Sequence, residues 1–386
     1  MSIRKAPRIG CLAVSLLCVF SIALPAAQEA KESAKAQETP PAQDTIPDKS
    51  YKSWSPMPIV MYDTDIGFGF GGKVKFVDFL KMKESFDLIA FQAIKDNKWT
   101  ENWYVFTFSI PDFEIRQGRR YGLSFDLKAE YDKYLHFSYY GLGRDSSKDD
   151  ETIFAHAMKS LQVTFGMGIS PKFVAEVGYN LRWLEYTDVT LERPFTDVLQ
   201  RFGSQYAPYA TMSARYDTSD SQIHPTRGIR VLLQDDIAMG SKDAAFNRLT
   251  FDFRNYRLVF GEKDVFAWRA LFQSVTGDKI PYFDYASLGG GTLMNSMRGY
   301  AINRFLDKAK FLANIEYRFP IWWRIGGNAF IDAGTVGPSL GGLDFGKMAL
   351  DYGLGLRFYL PDFTVRVDVG FSNEGMGLYF NFGHIF

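Results

Sequence analysis

Few residues of the chain are placed to do bond chemistry. Gly67-Phe68-Gly69-Phe70-Gly71-Gly72 has the spacing of the dinucleotide fingerprint G-x-G-x-x-G. That fingerprint cradles a pyrophosphate only where a strand leads into it and a helix follows. Here glycine alternates with phenylalanine and continues into Lys73-Val74-Lys75-Phe76, which is a strand pattern. Small residues on one strand face and aromatics on the other explain it better. The four histidines, His136, His156, His224 and His384, lack metal-ligand spacing. No nucleophile elbow or phosphate loop occurs. A triad assembled from distant residues would leave no such motif, but nothing in the sequence argues for an enzyme, and we expect no metal and no cofactor. One segment stands apart. Leu288 is followed by Gly289-Gly290-Gly291, and then by a lone arginine in Met297-Arg298-Gly299-Tyr300. Taken alone, it reads as an exposed loop with a solvated guanidinium.

The elements that position these residues follow from composition and period. The chain has 386 residues, with 44 basic and 44 acidic side chains. A net charge of zero argues against nucleic acid as a partner, since such proteins show a basic excess. Aromatics make up 16%, far too many for a disordered chain. Residues 1–27 read as a signal peptide: Arg4, Lys5 and Arg8, then an apolar run from Cys11 to Leu24, then Ala26-Ala27. Cleavage there removes Cys11 and Cys18, the two cysteines, and leaves no disulfide or thiolate site. Residues 28–56 are rich in Ala, Glu, Lys, Gln and Pro and read as a flexible periplasmic linker. Residues 57–386 form one long β unit.

That unit alternates. Phe363-Thr364-Val365-Arg366-Val367-Asp368-Val369-Gly370-Phe371 is apolar at every odd position. Phe311, Ala313, Ile315, Tyr317 and Phe319 alternate with Leu312, Asn314, Glu316 and Arg318. Successive strand side chains point to opposite faces, so each segment has one oily and one polar face. A soluble sandwich buries the oily face between sheets. A transmembrane barrel turns it to lipid and keeps the polar face inside. The barrel is favoured. The segments are long enough to cross a membrane at roughly 9–11 residues per tilted strand. Charged residues populate the polar faces, and Trp322-Trp323 and Tyr139-Tyr140 sit at strand ends, where aromatic girdles belong. Short links such as Gly261 to Asp264 and Ser170 to Lys172 alternate with longer ones such as Asp188 to Ser204 and Asp278 to Tyr300. The first strands read as Met57 to Asp63 and Gly67 to Leu80. Eleven strands before Tyr300 and five after give sixteen, with residues 121–142 readable as one strand or as a hairpin.

The motifs carry a resemblance. Met297-Arg298-Gly299-Tyr300 is similar to the Arg-Gly-aromatic tip of the sixth outer loop in the bacterial surface antigen superfamily, the BamA, TamA and FhaC type of outer-membrane barrel. Phe330-Ile331-Asp332-Ala333-Gly334 resembles that family's Phe-x-Asp-x-Gly strand, and Glu316 resembles its Glu on the strand just after the loop. His224-Pro225-Thr226-Arg227-Gly228 resembles a Pro-x-x-Gly turn of the family, and Pro58 to Gly72 the opening strand pair of its short members. The resemblance implies a long sixth loop folded into the barrel. It implies loop anchoring by Arg298, Gly299, Tyr300, Glu316, Asp332 and Gly334. The strand periodicity agrees, placing Glu316 and Asp332 on the inward register. Gly299 would let the loop tip turn sharply. Phe380, Phe382 and the terminal Phe386 resemble the C-terminal signal by which barrel-assembly machinery recognises a barrel for insertion. The short 28–56 segment resembles the branch without POTRA receptor domains.

These implications frame three functions. The first is assembly or translocation of client proteins at the outer membrane, through a weak seam between the first and last strands. The second is a passive or gated pore plugged by the Arg298 loop. The third is a surface-structural barrel acting through its outer loops. Expected partners are outer-membrane lipids, the barrel-assembly machinery and client proteins.

Overall fold

The computed structural model describes residues 52–187, 203–261, 263–360 and 363–386. The stretch read as a signal peptide and most of that read as a linker lie outside them, as does most of the Asp188 to Ser204 connection. The strands run β1 Ser53–Asp63, β2 Gly67–Val77, β3 Ser85–Lys95, β4 Lys98–Ile110, β5 Tyr121–Tyr139, β6 Thr152–Ser170 and β7 Phe173–Thr187. They continue as β8 Gly203–Tyr206, β9 Tyr209–Asp217, β10 Gly228–Ala238, β11 Ala245–Leu258 and β12 Val265–Lys279. A short ribbon, β13 Ala286–Leu288 and β14 Phe305–Asp307, stands apart. The wall resumes with β15 Ala309–Trp322, β16 Ile325–Gly337, β17 Ala349–Tyr359, β18 Thr364–Phe371 and β19 Met376–Phe382.

Each wall strand pairs antiparallel with its neighbour in sequence, and β1 meets β19. The sheet therefore closes on itself. β8 and β9 both pair with β7, end to end, and form one stave. The result is a closed sixteen-stranded antiparallel β-barrel. Residues 121–139 are one strand and not a hairpin.

Alternation sets the two faces. On β17, Leu350, Tyr352, Leu354 and Leu356 are exposed outward, while Ala349, Asp351, Gly353 and Arg357 are buried inward. An apolar exterior over a polar interior is the arrangement that lipid on one side and a hydrated lumen on the other require. Several boundaries differ from the sequence reading. β1 starts at Ser53, inside the stretch read as linker, because residues 53–56 pair with β2. β2 ends at Val77, since Asp78 has positive φ and turns the chain. Trp322 and Trp323 are exposed at a strand end, as a girdle requires, but Tyr139 and Tyr140 are buried. Tyr139 faces inward onto the ring of Tyr282, and Tyr140 lies under Arg304. The long connection also runs past Tyr300 to Lys308, because β14 must return to pair with β13 before the wall resumes.

The closure is uneven. β1 and β2 share eleven residue pairs and β18 and β19 share seven. β1 and β19 share two, Tyr62 with Phe380 and Asp63 with Tyr379. Thr64 adds a backbone bond to the Leu378 carbonyl at 3.1 Å and receives the Leu378 N–H on its hydroxyl at 2.7 Å. These bonds show that the even residues of β1 turn their backbone groups toward β19. Carried on, the register would set Val60 against Phe382, Pro58 against His384 and Pro56 against Phe386. Proline has no N–H to give. On the other side, the Phe382 N–H is taken by the Asn381 side chain at 2.7 Å, and Gly383 turns away with φ +77°. The shortness of the seam is thus written into Pro56, Pro58, Asn381 and Gly383. The sequence reading expected a short first strand. The structure gives a long first strand with a largely free edge.

Candidate functional site

Residues 280–308 form the sixth connection at the end of the barrel that carries the long loops, and they fold into the lumen. Gly289 and Gly290 take φ of +125° and +83°, which only glycine adopts without strain. They reverse the chain so that Met297-Arg298-Gly299-Tyr300 descends along the inner wall. Met297, Leu288, Tyr300 and Phe305 pack there with Leu271, Leu312 and Val336.

Arg298 is wholly buried. Its Nε donates to Asp332 Oδ2 at 2.8 Å and its Nη2 to Asp332 Oδ1 at 2.9 Å. This is the two-pronged geometry that suits guanidinium and carboxylate. Nη1 donates to Glu316 Oε1 at 2.7 Å and reaches Asp368 Oδ2 at 3.4 Å. The guanidinium carbon lies 3.4 Å from the centre of the Phe330 ring, a cation–π contact. Asp332 is also held by Asn314 Nδ2 at 2.8 Å. Around this core, Arg318 bonds Glu316 at 2.8 Å, and Arg357 and Arg366 bond Asp368 at 2.6 and 3.2 Å. Four buried arginines thus share three buried carboxylates, Glu316, Asp332 and Asp368. Such a network gives little net stability over an apolar core but fixes one arrangement, because a partner left alone in a buried site is costly.

Space is as important as charge. The sequence reading gave Gly299 a turning role, but its φ lies outside the left-handed region. What matters is approach: a Cβ there would come 2.7 Å from Asp351 Cβ and from the Phe371 backbone. On the wall, a Cβ at Gly370 would meet the Arg298 carbonyl at 2.5 Å, and one at Gly377 would collide with the same oxygen. Gly334 leaves room for Leu288 and Met297. Tyr300 donates its hydroxyl to Asn373 Oδ1 at 2.8 Å. The wider loop is tied by Arg304 to Glu374 at 2.6 Å, by Arg182 and Arg248 to Asp284, and by the Ile302 N–H to Asp65 at 3.0 Å.

The structure therefore brings Arg298, Gly299, Glu316, Asp332 and Gly334 together, with Tyr300 beside them. Sequence reasoning quoted Phe330 in its motif without giving it a part, and it assigned no role to Asn314, Asp368, Arg357, Gly370 and Gly377. Asp368 and Gly370 lie on the inward register already visible in 363–371, and that parity was the signal available for them. Phe380 and Phe382 lie in β19. Phe386 does not continue the strand: it is buried inside the barrel near Tyr256 and Val265, with its carbonyl accepting from Arg318 at 3.0 Å. The rings of His224 and His384 meet edge to face at 6.1 Å. His224 bonds Leu360 and Thr364, and His156 stacks on Tyr134. Among the described residues no group of three His, Cys, Asp or Glu is arranged to hold a metal.

Residues 90–386 match the family model described as the Omp85 superfamily domain. The fold is similar to that of BamA from Haemophilus ducreyi lacking POTRA domains 1–3, with a TM-score of 0.63 at 15% identity over 86% of this chain and 71% of that one. It is also similar to CdiB from Acinetobacter baumannii, with a TM-score of 0.58 at 12% identity over 85% of this chain and 59% of that one. CdiB from Escherichia coli gives 0.59 at 10% identity over 86% and 63%. This chain thus spans less than two thirds of either CdiB chain. No curated protein sequence matches it.

Proposed function

The chain belongs to the Omp85 superfamily, and from that premise we propose that it acts on other proteins at the bacterial outer membrane, in their insertion or translocation. One observation carries this reading. The barrel closes through two residue pairs, while every other strand junction is far better paired. A free strand edge in a lipid setting presents unpaired backbone groups, and an extended segment of another chain satisfies them by adding a strand. The Arg298 loop supports the reading. It braces β15, β16 and β18 from within, so opening at the seam need not collapse the rest of the wall.

On this account the signal peptide of residues 1–27 exports the chain, and the machinery that inserts it reads Phe380, Phe382 and Phe386 before the terminal residues turn into the lumen. The lipid-facing belt then holds it in the outer membrane. The test is quantitative outer-membrane proteomics after depletion. Loss of a defined set of barrels or exported proteins is expected, and an unchanged proteome overturns the proposal.

A second reading, a pore stoppered by the Arg298 loop, draws support from the polar inner wall of β3 to β6. There Thr107, Ser109, Lys128, Gln162 and Thr164 line a hollow of about 350 Å³. Arg298→Ala should then raise single-channel conductance. A barrel closed in both forms argues against it.

A further inference from the structure

At the end of the barrel opposite the Arg298 loop, three neighbouring turns bring cations to one place. The turn between β4 and β5 carries Arg116-Gln117-Gly118-Arg119-Arg120, with Gly118 in the left-handed region at φ +62°. The turn between β6 and β7 carries Lys172, and β9 ends beside it with Arg215 pointing inward. Because β5, β6, β7 and β9 are consecutive staves, these turns are adjacent in space. Between them lies a hollow of about 70 Å³, lined by Arg116, Arg119, Lys172 and Arg215 and floored by Tyr121.

Asp217 also lines the hollow, but it and the carboxylates nearby are already engaged. Asp126 takes Arg116 at 2.8 Å. Asp217 accepts from the Ser219 N–H and Gln222 Nε2, each at 2.8 Å, and pairs with Arg230 at 3.2 Å. Arg215 has Glu176 only at 3.6 Å. Among the described residues, neither Arg119 nor Lys172 has an ion pair. Two unmatched cations and one loosely matched arginine face a space of small-anion size. Guanidinium forks and an ammonium converging on such a space form the donor set that holds a phosphate.

We propose that this hollow is an oxyanion site that takes one phosphate group. The phosphate is supplied either free or on a phospholipid headgroup. Both sources can reach it. Arg116, Tyr121 and Arg215 face the lumen mouth. Leu123 and Ile169, exposed on the outer wall just past the same turns, put the lipid boundary at the same level.

The test uses the folded barrel. In one arm, inorganic phosphate is titrated calorimetrically into protein in zwitterionic detergent and Tris chloride. In the other, lipid retained from nanodiscs of phosphatidylcholine and phosphatidylglycerol is measured by native mass spectrometry. Wild type is expected to bind one phosphate or retain one lipid phosphate, and the Arg119→Gln/Lys172→Gln variant to weaken that by about tenfold or more. Arg120→Gln, exposed and outside the hollow, is expected to leave it unchanged. Heat-modifiable gel mobility checks that each variant is folded. Binding in the first arm alone identifies a free-anion site, and enrichment in the second alone a headgroup site. No binding in either arm, or equal loss in the double variant and Arg120→Gln, overturns the proposal.

Discussion

Removing the Arg298 guanidinium is the sharpest perturbation of the lumen. In Arg298→Ala the three carboxylates it touches fare differently. Glu316 keeps Arg318, with Arg357 at 3.7 Å, and Asp368 keeps Arg357 and Arg366. Asp332 loses both prongs and retains two neutral donors, the Asn314 amide at 2.8 Å and the backbone N–H of residue 298 at 3.3 Å. The damage therefore concentrates on one buried carboxylate. Breaking a buried pair from one side costs about 3–5 kcal/mol, a large part of the roughly 5–15 kcal/mol by which most proteins are stable. If Asp332 is the group left stranded, removing it as well must recover part of the loss. The Arg298→Ala/Asp332→Ala double variant should thus fall short of the sum of the singles, by a coupling within the range of about 0.5–3 kcal/mol seen for contacting residues. Arg298→Lys should recover little, because an ammonium cannot reproduce the fork. The assay is reversible urea unfolding in detergent micelles, followed by heat-modifiable mobility and tryptophan fluorescence. Additive single variants would refute the argument, since Arg298 and Asp332 would then be neighbours without being partners.

Three further outcomes follow from the same geometry. Gly370→Ala places a methyl group against the Arg298 carbonyl and should expose the 280–308 loop to protease with no change of charge; unaltered digestion would remove the close-approach argument. Pro56→Ala/Pro58→Ala returns two donors to the free edge of β1, so a Val60→Cys/Phe382→Cys pair should cross-link faster in that background; an equal rate would show that the prolines do not limit the seam. Burial, with the charge of Asp63 beside it, pushes the Asp65 carboxyl in the turn at 64–66 from 3.8 up to about 7. The folded chain therefore holds a proton that the unfolded chain releases between those values, so stability falls as pH rises through that window. The unfolding midpoint should drop from pH 5 to pH 8, and Asp65→Asn should flatten the drop; an identical slope in the variant would remove Asp65 as its source.

The sequence carried the barrel clearly and the site in part. Alternation over 311–319 and 363–371 sufficed for the two faces, because the side-chain period of a strand is fixed by its backbone. The same parity put Glu316 and Asp332 inside. It did not join them to Arg298, since nothing local tells a loop to fold inward; that link came from the family resemblance. The parts of Phe330 and Asp368 stayed hidden because they depend on a loop tens of residues away. Tyr139 and Tyr140 were misplaced for a related reason: an aromatic at a strand end looks alike whether it meets a headgroup or the Tyr282 ring. The seam was more legible than the reading made it. Pro56 and Pro58 stand two apart on one strand, and that spacing removes donors from a single edge.

The central claim is that the β1–β19 seam opens to admit another chain. Tyr62 and Phe380 are register partners across it, and directly opposed residues of an antiparallel pair lie within reach of a disulfide. A Tyr62→Cys/Phe380→Cys barrel, otherwise free of cysteine once the first 27 residues are removed, can be locked by oxidation and reopened by reductant. The measurement is the rate at which a urea-unfolded client barrel folds into liposomes containing this protein. The account predicts that the locked form gives no acceleration over empty liposomes and that reduction restores it. Equal acceleration by locked and reduced forms would contradict it.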